Sequence, residues 1–231
     1  MTDIFAVKIS GTMEAALCDK YLKLLTPEKQ AKIRRFLKWE DMQRSLVAEI
    51  LLKVVIIEKL KIDNKKIEIT VDKYGKPFLK GNLSFSFNIS HSGEWVVCAT
   101  DEYDVGIDVE EVRLIQTEDI IQNYFSREEC RYFQDKGDIE KLDLFYKLWT
   151  LKESYIKAIG TGFSTDFTAF TIVFGKPVRV RSDVLEPWFL KQYEFDVGYK
   201  LSLCTRYIDF PPEIIFISME ELRFKAEKYL L

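Results

Sequence analysis

Residues 106–110 read Gly-Ile-Asp-Val-Glu, and this stretch decides how the rest of the chain is interpreted. Ile107 and Val109 alternate with Gly106, Asp108 and Glu110, a period of two that predicts a β-strand with one apolar face. On the other face the Cα atoms of Asp108 and Glu110 are expected about 6–7 Å apart. Two carboxylates so close repel each other unless water or a cation such as Mg²⁺ separates them. The pattern is therefore typical either of a magnesium-binding strand, with room for a ligand beside Gly106, or of an ordinary half-exposed strand with an acidic outer face.

The composition of the 231-residue chain is that of a globular protein, large enough for one domain or for two of about 110 residues. Its net charge of −3 offers no general basic field for nucleic acid. No apolar run approaches the ~20 residues that span a bilayer, and the first residues do not resemble a signal peptide. The four cysteines are scattered without a C-x-x-C pair. We therefore expect a reduced, cytoplasmic protein that binds neither nucleic acid nor membranes.

A basic helix is predicted near the start of the chain. Residues 26–28, Thr-Pro-Glu, combine a hydroxyl N-cap, a proline at the first helical position and an acid in the first turn. At 100° per residue, Lys29 and Lys32 lie beside the apolar stripe of this helix, whereas Arg34 and Lys38 point away from it. The first pair could reach into a cleft beside the core, and the second pair is expected on a solvated face.

The single histidine of the chain, His91, lies at the tip of a predicted hairpin. Residues 84–90 alternate like a half-buried strand, and Ser90 and Ser92 flank the histidine. A lone histidine is commonly a structural or an exposed residue. Beside two hydroxyl groups at a strand end, however, an imidazole and the backbone N–H groups could also hold a phosphate.

A long helix is predicted over residues 142–159, with Phe145, Leu148 and Trp149 in its apolar stripe. Glu153 and Lys157 are four residues apart and therefore share one face, a turn below Trp149. The two side chains form either an ordinary surface pair or part of a site that also contains the acidic strand.

Three sequence blocks follow one another along the chain: Phe87-Asn88-Ile89-Ser90-His91-Ser92, then residues 106–110, then Trp149-Thr150-Leu151-Lys152-Glu153-Ser154-Tyr155-Ile156-Lys157. Together they resemble the signature of the phosphopantetheinyl transferases of the Sfp type, in which the strand block follows G-I-D-x-E and the helix block follows W-x-x-K-E-x-x-x-K. The similarity extends through residues 26–29, 74–77 and 125–126, and so covers nearly the whole chain. The threonine usual in the family after the first helix is replaced by Ser45, which keeps the hydroxyl.

The resemblance implies an α+β fold. The family consists of two similar α/β lobes in a pseudo-twofold arrangement, with the active site in the cleft between them. For this chain the expected units are an N-terminal lobe, residues 1–104, and a C-terminal lobe, residues 105–231. Because two lobes complete one cleft, we expect a monomer.

The resemblance also implies an activity. Such an enzyme transfers the 4′-phosphopantetheine moiety of coenzyme A to a serine of a peptidyl or acyl carrier domain and releases adenosine 3′,5′-bisphosphate, in a reaction that depends on Mg²⁺. The carrier domains belong to peptide or polyketide synthetases, as in nonribosomal peptide antibiotic biosynthesis.

Roles for individual residues follow from the same resemblance. The expected metal ligands are Asp108, Glu110 and Glu153. Glu153 is also the candidate general base, and Lys157 is expected to stabilise charge on the diphosphate, so that Glu153, Lys157 and Asp108 form the catalytic set. The residues expected to contact coenzyme A are Lys29, Lys32, Ser45, Lys76, Ser90, His91, Lys152 and Lys157.

The carrier domain is expected to dock on residues 114–125, which are unusually apolar for a linker and have Arg113 and Arg127 as basic neighbours. The alternative is that these residues simply pack under the adjacent helix. Two other functions remain open at this stage: a Mg²⁺-dependent phosphohydrolase or nuclease with the same carboxylates, and a carrier-binding module without catalytic activity.

Overall fold

The computed structural model describes residues 1–82, 84–183 and 186–231, and these residues form an α+β fold. The helices are α1 (Ala15–Leu22), α2 (Pro27–Arg34), α3 (Trp39–Leu60), α4 (Glu118–Tyr124), α5 (Arg127–Arg131), α6 (Asp138–Ile159) and α7 (Met219–Leu230). The strands are β1 (Asp3–Lys8), β2 (Ile69–Val71), β3 (Pro77–Leu79), β4 (Ser86–Ser92), β5 (Trp95–Asp101), β6 (Gly106–Glu111), β7 (Thr171–Val173), β8 (Val178–Arg181), β9 (Phe189–Tyr193), β10 (Tyr199–Thr205) and β11 (Ile215–Ile217).

The first sheet has the strand order β11-β1-β5-β4 and is covered on one face by α3. Strand β11 runs parallel to β1, and the other pairs are antiparallel. Helix α3 is 22 residues long, and its buried stripe includes Leu46, Ile50 and Val54. These side chains recur at intervals of four, so they lie on one face of the helix and can pack against the sheet.

The second sheet has the order β6-β10-β9-β8-β7, and α6 packs on β6, β10 and β9. Helix α6 is also 22 residues long and begins at Asp138, four residues before the predicted start. It ends as predicted at Gly160, whose φ of 73° lies in the left-handed region that glycine adopts without strain.

The two sheets share a hydrophobic core between them. Ile4 and Val97 of the first sheet pack in one cluster with Ile107, Val109 and Leu201 of the second sheet. Each sheet therefore has the other sheet on its inner face and a long helix on its outer face. This packing brings β4, an edge strand of the first sheet, alongside β6, an edge strand of the second. The pseudo-twofold relation between two lobes stays a prediction.

The carboxyl-terminal residues pack with the first half of the chain. Strand β11 pairs with β1, and Leu222, Ala226 and Leu230 of α7 belong to the core beneath α3. The last part of the expected C-terminal lobe, residues 105–231, thus adds a strand and a helix to the N-terminal half of the structure. Across the described ranges, no helix combines the length and apolar composition that crossing a bilayer requires.

Candidate active site

A cavity of about 500 Å³ lies where the two halves of the chain meet, between α2 and α3 on one side and β6 and α6 on the other. Strand β4 contributes the hairpin tip to its wall. Most of the residues selected from the sequence line this one cavity, namely Lys29, Lys32, Ser45, Ser90, His91, Asp108, Glu110, Glu153 and Lys157. The tertiary structure thus brings together side chains that lie as much as 128 positions apart, from Lys29 to Lys157.

Asp108 lies at the floor of the cavity and is almost completely buried, with 2% of its surface exposed. Its Oδ1 accepts hydrogen bonds from Lys157 Nζ at 2.6 Å and from Ser90 Oγ at 2.9 Å. Its other oxygen, Oδ2, is buried without a hydrogen-bond partner. Burial raises the pKa of Asp108, while the Lys157 ammonium and the Ser90 hydroxyl oppose that rise. A half-exposed acidic strand is therefore the wrong description of β6, since α6 covers the face that carries this carboxylate.

The close contact between β6 and α6 depends on Gly106. A Cβ atom at this position would lie 2.0 Å from the carbonyl oxygen of Ser154 and 2.4 Å from the backbone nitrogen of Ala158. The missing side chain therefore makes room for the backbone of α6. The expectation that it makes room for a ligand is wrong, because the helix occupies that space.

Glu110 and Glu153 complete a group of three neighbouring carboxylates. Ser92 Oγ donates to Glu110 Oε2 at 2.7 Å. Burial, and then the charge of Asp108, raise the pKa of Glu110 to about 6 and that of Glu153 to about 7. Near neutral pH, Glu153 can therefore exist both as a proton donor and as a proton acceptor.

The opposite wall of the cavity is cationic. Lys29 and Lys32 come from α2, and His91 comes from the end of β4. Desolvation lowers the pKa of His91, so the two lysines supply the positive charge of this wall. Lys29 forms an ion pair with Glu49 of α3, which also lines the cavity. An anion bound between these side chains would face positive charge from α2 on one side and the Lys157 ammonium on the other.

The carboxylates do not form a ready-made metal site. Among the described residues, no group of three or more His, Cys, Asp or Glu side chains is close enough to hold a metal ion. Their chemistry nevertheless fits a divalent cation, because one oxygen of Asp108 is buried without a partner, and burial together with the charge of Asp108 suppresses the ionisation of Glu110 and Glu153. A cation there would offset the repulsion between the carboxylates and would also give Asp108 Oδ2 a partner.

Comparison with known proteins assigns the chain to a family. Residues 14–103 match the family "4′-phosphopantetheinyl transferase, N-terminal", and residues 104–207 match the 4′-phosphopantetheinyl transferase superfamily. The 4′-phosphopantetheinyl transferase Sfp of Bacillus subtilis is 37% identical over 222 residues, which cover 95% of this chain and 99% of that protein. The 4′-phosphopantetheinyl transferase gsp of Aneurinibacillus migulanus is 34% identical, covering 90% of this chain and 87% of that protein.

The chain belongs to the Sfp-type 4′-phosphopantetheinyl transferases. The resemblance stated from the sequence is thereby confirmed, and the protein is an enzyme. A binding module without catalytic activity is correspondingly disfavoured.

One expected coenzyme contact of the transferase, Lys76, lies beside the main cavity. Its Nζ donates to the carbonyl oxygen of Ala158 at 2.6 Å and to Asp104 Oδ1 at 3.0 Å. It lines a second cavity of about 250 Å³ that shares Glu153 and Lys157 with the first. In this arrangement the Lys76 ammonium is held at the carboxyl end of α6, where it also interacts favourably with the helix dipole.

Lys152 of the transferase does not reach either cavity, and the expectation that it contacts coenzyme A is wrong for this structure. Its side chain is completely buried and forms an ion pair with Glu129 at 2.8 Å. The ammonium also donates to the carbonyl oxygen of Phe170 at 2.9 Å. Because Lys152 is adjacent to Glu153 in the helix, it points about 100° away from the cavity and into the core of the second half.

Sequence reasoning also missed residues that the transferase places at the site. Glu49 lines the cavity beside Lys29, and Ser92 contacts Glu110. A signal for Ser92 exists in the sequence, since it shares the period-two face of β4 with Ser90. Glu49 is four residues after Ser45 and therefore lies on the same face of α3, which could have marked it as a neighbour.

The segment expected to receive the carrier domain divides into exposed and buried residues. Leu114, Ile115 and Tyr124 are 93%, 45% and 41% exposed. Ile121 and Phe125 are only 9% and 2% exposed and pack in the core beneath α6. Part of the segment is therefore exposed, as a docking surface would be, and part of it packs under the adjacent helix.

Proposed function

We propose that this transferase moves the 4′-phosphopantetheine moiety of coenzyme A onto a serine of a peptidyl or acyl carrier domain, with Mg²⁺, and releases adenosine 3′,5′-bisphosphate. The observation that carries the proposal is the single cavity in which a cationic wall faces three carboxylates. Such a site can bind a highly charged diphosphate at one end and take up a proton at the other.

In the proposed reaction the serine oxygen attacks the β-phosphorus of the coenzyme. A new P–O bond forms to serine while the P–O bond to the departing adenosine 3′,5′-bisphosphate breaks. Glu153 accepts the serine proton, directly or through water, since its carboxylate lines the cavity beside Lys157. A base of this kind typically contributes about 10²–10⁴ in rate.

Lysine, histidine and serine side chains would position the coenzyme. Lys29, Lys32 and His91 would contact its phosphates from the α2 wall, with Ser45 adding a hydroxyl. Lys157, already bonded to Asp108, would stabilise negative charge that develops on the leaving group. Lys76 would join them from the adjoining cavity.

Asp108, Glu110 and Glu153 would hold Mg²⁺, which would neutralise charge on the diphosphate. The support for this assignment is the unpaired, buried Oδ2 of Asp108 and the raised pKa values of its two neighbours. The carrier domain would dock over the exposed side chains of Leu114, Ile115 and Tyr124. The ring of Tyr124 lies 5.9 Å from that of Trp149, which lines the cavity.

We further propose a monomer that acts in the cytoplasm. Both walls of the cavity come from one chain, so a second copy is not needed to complete it. All four cysteines are free thiols, which is typical of reducing compartments.

The test is the intact mass of an apo peptidyl carrier domain after incubation with coenzyme A, Mg²⁺ and the protein. We expect the mass to increase by one phosphopantetheine, and no increase when a chelator removes Mg²⁺. Asp108→Ala should abolish transfer but remain folded, whereas Asp209→Ala, which removes an exposed carboxylate elsewhere, should have no effect. Hydrolysis of coenzyme A without modification of any carrier domain would instead support a phosphohydrolase and contradict the proposal.

A further inference from the structure

Strands β4 and β6 lie side by side at the junction of the two sheets but are paired to different neighbours. In the described part of the chain, β4 pairs with β5, and β6 pairs with β10. Instead, alternate backbone N–H groups along β6 donate hydrogen bonds to side-chain oxygens of β4. We call this set of hydrogen bonds the side-chain ladder. Its three bonds are Ile107 N to Asn88 Oδ1 at 2.9 Å, Val109 N to Ser90 Oγ at 3.4 Å, and Glu111 N to Ser92 Oγ at 3.1 Å.

Two members of the ladder repeat one arrangement. Each serine hydroxyl accepts from a β6 backbone N–H and donates its proton to the carboxylate of the preceding β6 residue. Ser90 donates to Asp108 at 2.9 Å, and Ser92 donates to Glu110 at 2.7 Å. A hydroxyl has one proton and two lone pairs, so it can make both contacts at once.

The ladder therefore controls which carboxylate oxygens remain available. The Ser90 hydroxyl and the Lys157 ammonium both use Oδ1 of Asp108, which leaves Oδ2 without a partner. Ser92 uses Oε2 of Glu110 in the same way. Because each hydroxyl is also bonded to the backbone beside its carboxylate, the carboxylate is held in one orientation relative to β6.

We propose that Ser92 is a positioning residue that orients Glu110 for the divalent cation; this inference rests on the proposed function. Ser92 is not among the residues that line the cavity, so it acts through Glu110 and not by touching the substrate. It is the member of the ladder suited to a test, because Ser90 also accepts a hydrogen bond from Lys157 and its loss would disturb two groups.

The experiment compares three variants. Ser92→Ala removes the hydroxyl, and Ser92→Thr keeps one. Ser86→Ala is the control, since it removes a hydroxyl from the same face of β4 but at the other end of the strand. The first measurement is the Mg²⁺ concentration that gives half-maximal transfer to a carrier domain. The second is the affinity for Mn²⁺ alone, measured by calorimetry without coenzyme A. The third is the exchange rate of the Glu111 amide proton.

We expect Ser92→Ala to weaken both cation measurements by about 10-fold or more, which is the usual effect of losing a partner of a metal ligand. The KM for coenzyme A at saturating Mg²⁺ should remain within about twofold, since the cationic wall is unchanged. The Glu111 amide should exchange faster. Ser92→Thr should restore all three values, and Ser86→Ala should leave them unchanged.

Two outcomes would overturn the inference in distinguishable ways. If the wild-type protein needs Mg²⁺ but Ser92→Ala binds Mn²⁺ as tightly as the wild type, the positioning role is wrong and the proposed function stands. If the wild-type protein transfers phosphopantetheine without any divalent cation, the metal in the proposed function is wrong, and the inference fails with it. Should Ser92→Ala not fold, Ser92→Cys keeps the side-chain size with a much weaker donor and is expected to weaken Mn²⁺ binding likewise.

Discussion

Replacing Glu153 by Gln should change how the stability of the protein depends on pH. Burial and the charge of Asp108 raise the pKa of Glu153 from an ordinary value of 4.5 to about 7. The unfolded chain therefore releases this proton at lower pH than the folded protein does. The protonated Glu153 side chain therefore contributes its full stabilisation of the folded state below about pH 4.5, and this stabilisation is lost as the pH rises through about 7.

The size of the effect follows from the same difference. At about 1.4 kcal/mol per pH unit, the interval between 4.5 and about 7 sets an upper limit of about 3 kcal/mol. Glu153 is partly exposed to the cavity, so solvent screening reduces the expected value to about 1–2 kcal/mol between pH 5 and pH 8. The Gln variant has no proton to release, and in metal-free protein it should become the more stable of the two by that amount over this interval.

The assay is urea unfolding at pH 5 and pH 8 in the presence of a chelator, with Glu140→Gln as the matched control. Glu140 is an exposed carboxylate of the same helix, so its replacement should shift the free energy of unfolding equally at both pH values. If the wild-type protein and Glu153→Gln lose the same stability between pH 5 and pH 8, Glu153 ionises normally in the metal-free protein, and the reasoning from its burial is refuted.

Three further predictions concern the core, the strand–helix contact and the coenzyme. Lys152→Met should lower the free energy of unfolding by about 3–5 kcal/mol, because it leaves the buried Glu129 carboxylate without its balancing positive charge; urea unfolding should show partial recovery when Glu129→Gln is added. Gly106→Ala should lower the melting temperature and cost about 1–3 kcal/mol, whereas Gly137→Ala, where a Cβ meets no atom within 4 Å, should be tolerated. His91→Ala should raise the KM for coenzyme A about 10-fold and lower kcat much less; an unchanged KM would remove His91 from the phosphate site.

Local patterns predicted the elements that carry the site. The period of two in residues 106–110 indicates a strand, and the pair of Glu153 and Lys157 at a spacing of four indicates one face of a helix. The hydroxyl of Thr26 accepts from the N–H of Lys29 and caps α2 at the predicted residue. Such features depend on neighbours in sequence, so they can be predicted without knowledge of the fold.

The environment of each side chain could not be predicted in this way. Lys152 and Glu153 are adjacent in a charged motif, yet one is sealed in the core with Glu129 and the other lines the cavity. Residues 114–125 include exposed and buried apolar side chains with no difference in composition to separate them. The direction in which a side chain points is local, but what it meets there belongs to distant parts of the chain.

By itself, the sequence determined the strand with two carboxylates, the capped basic helix, the long helix with its Glu and Lys, and through their motifs the family. Only the tertiary structure decided that α6 covers the acidic face of β6, that the side chains of β4 bond the backbone of β6, and that β11 and α7 return to the first sheet. The physical reason is that periodicity and capping arise from bonds between near neighbours. Desolvation, charge pairing and the close approach of two backbones, in contrast, arise between residues that only the folded chain brings together.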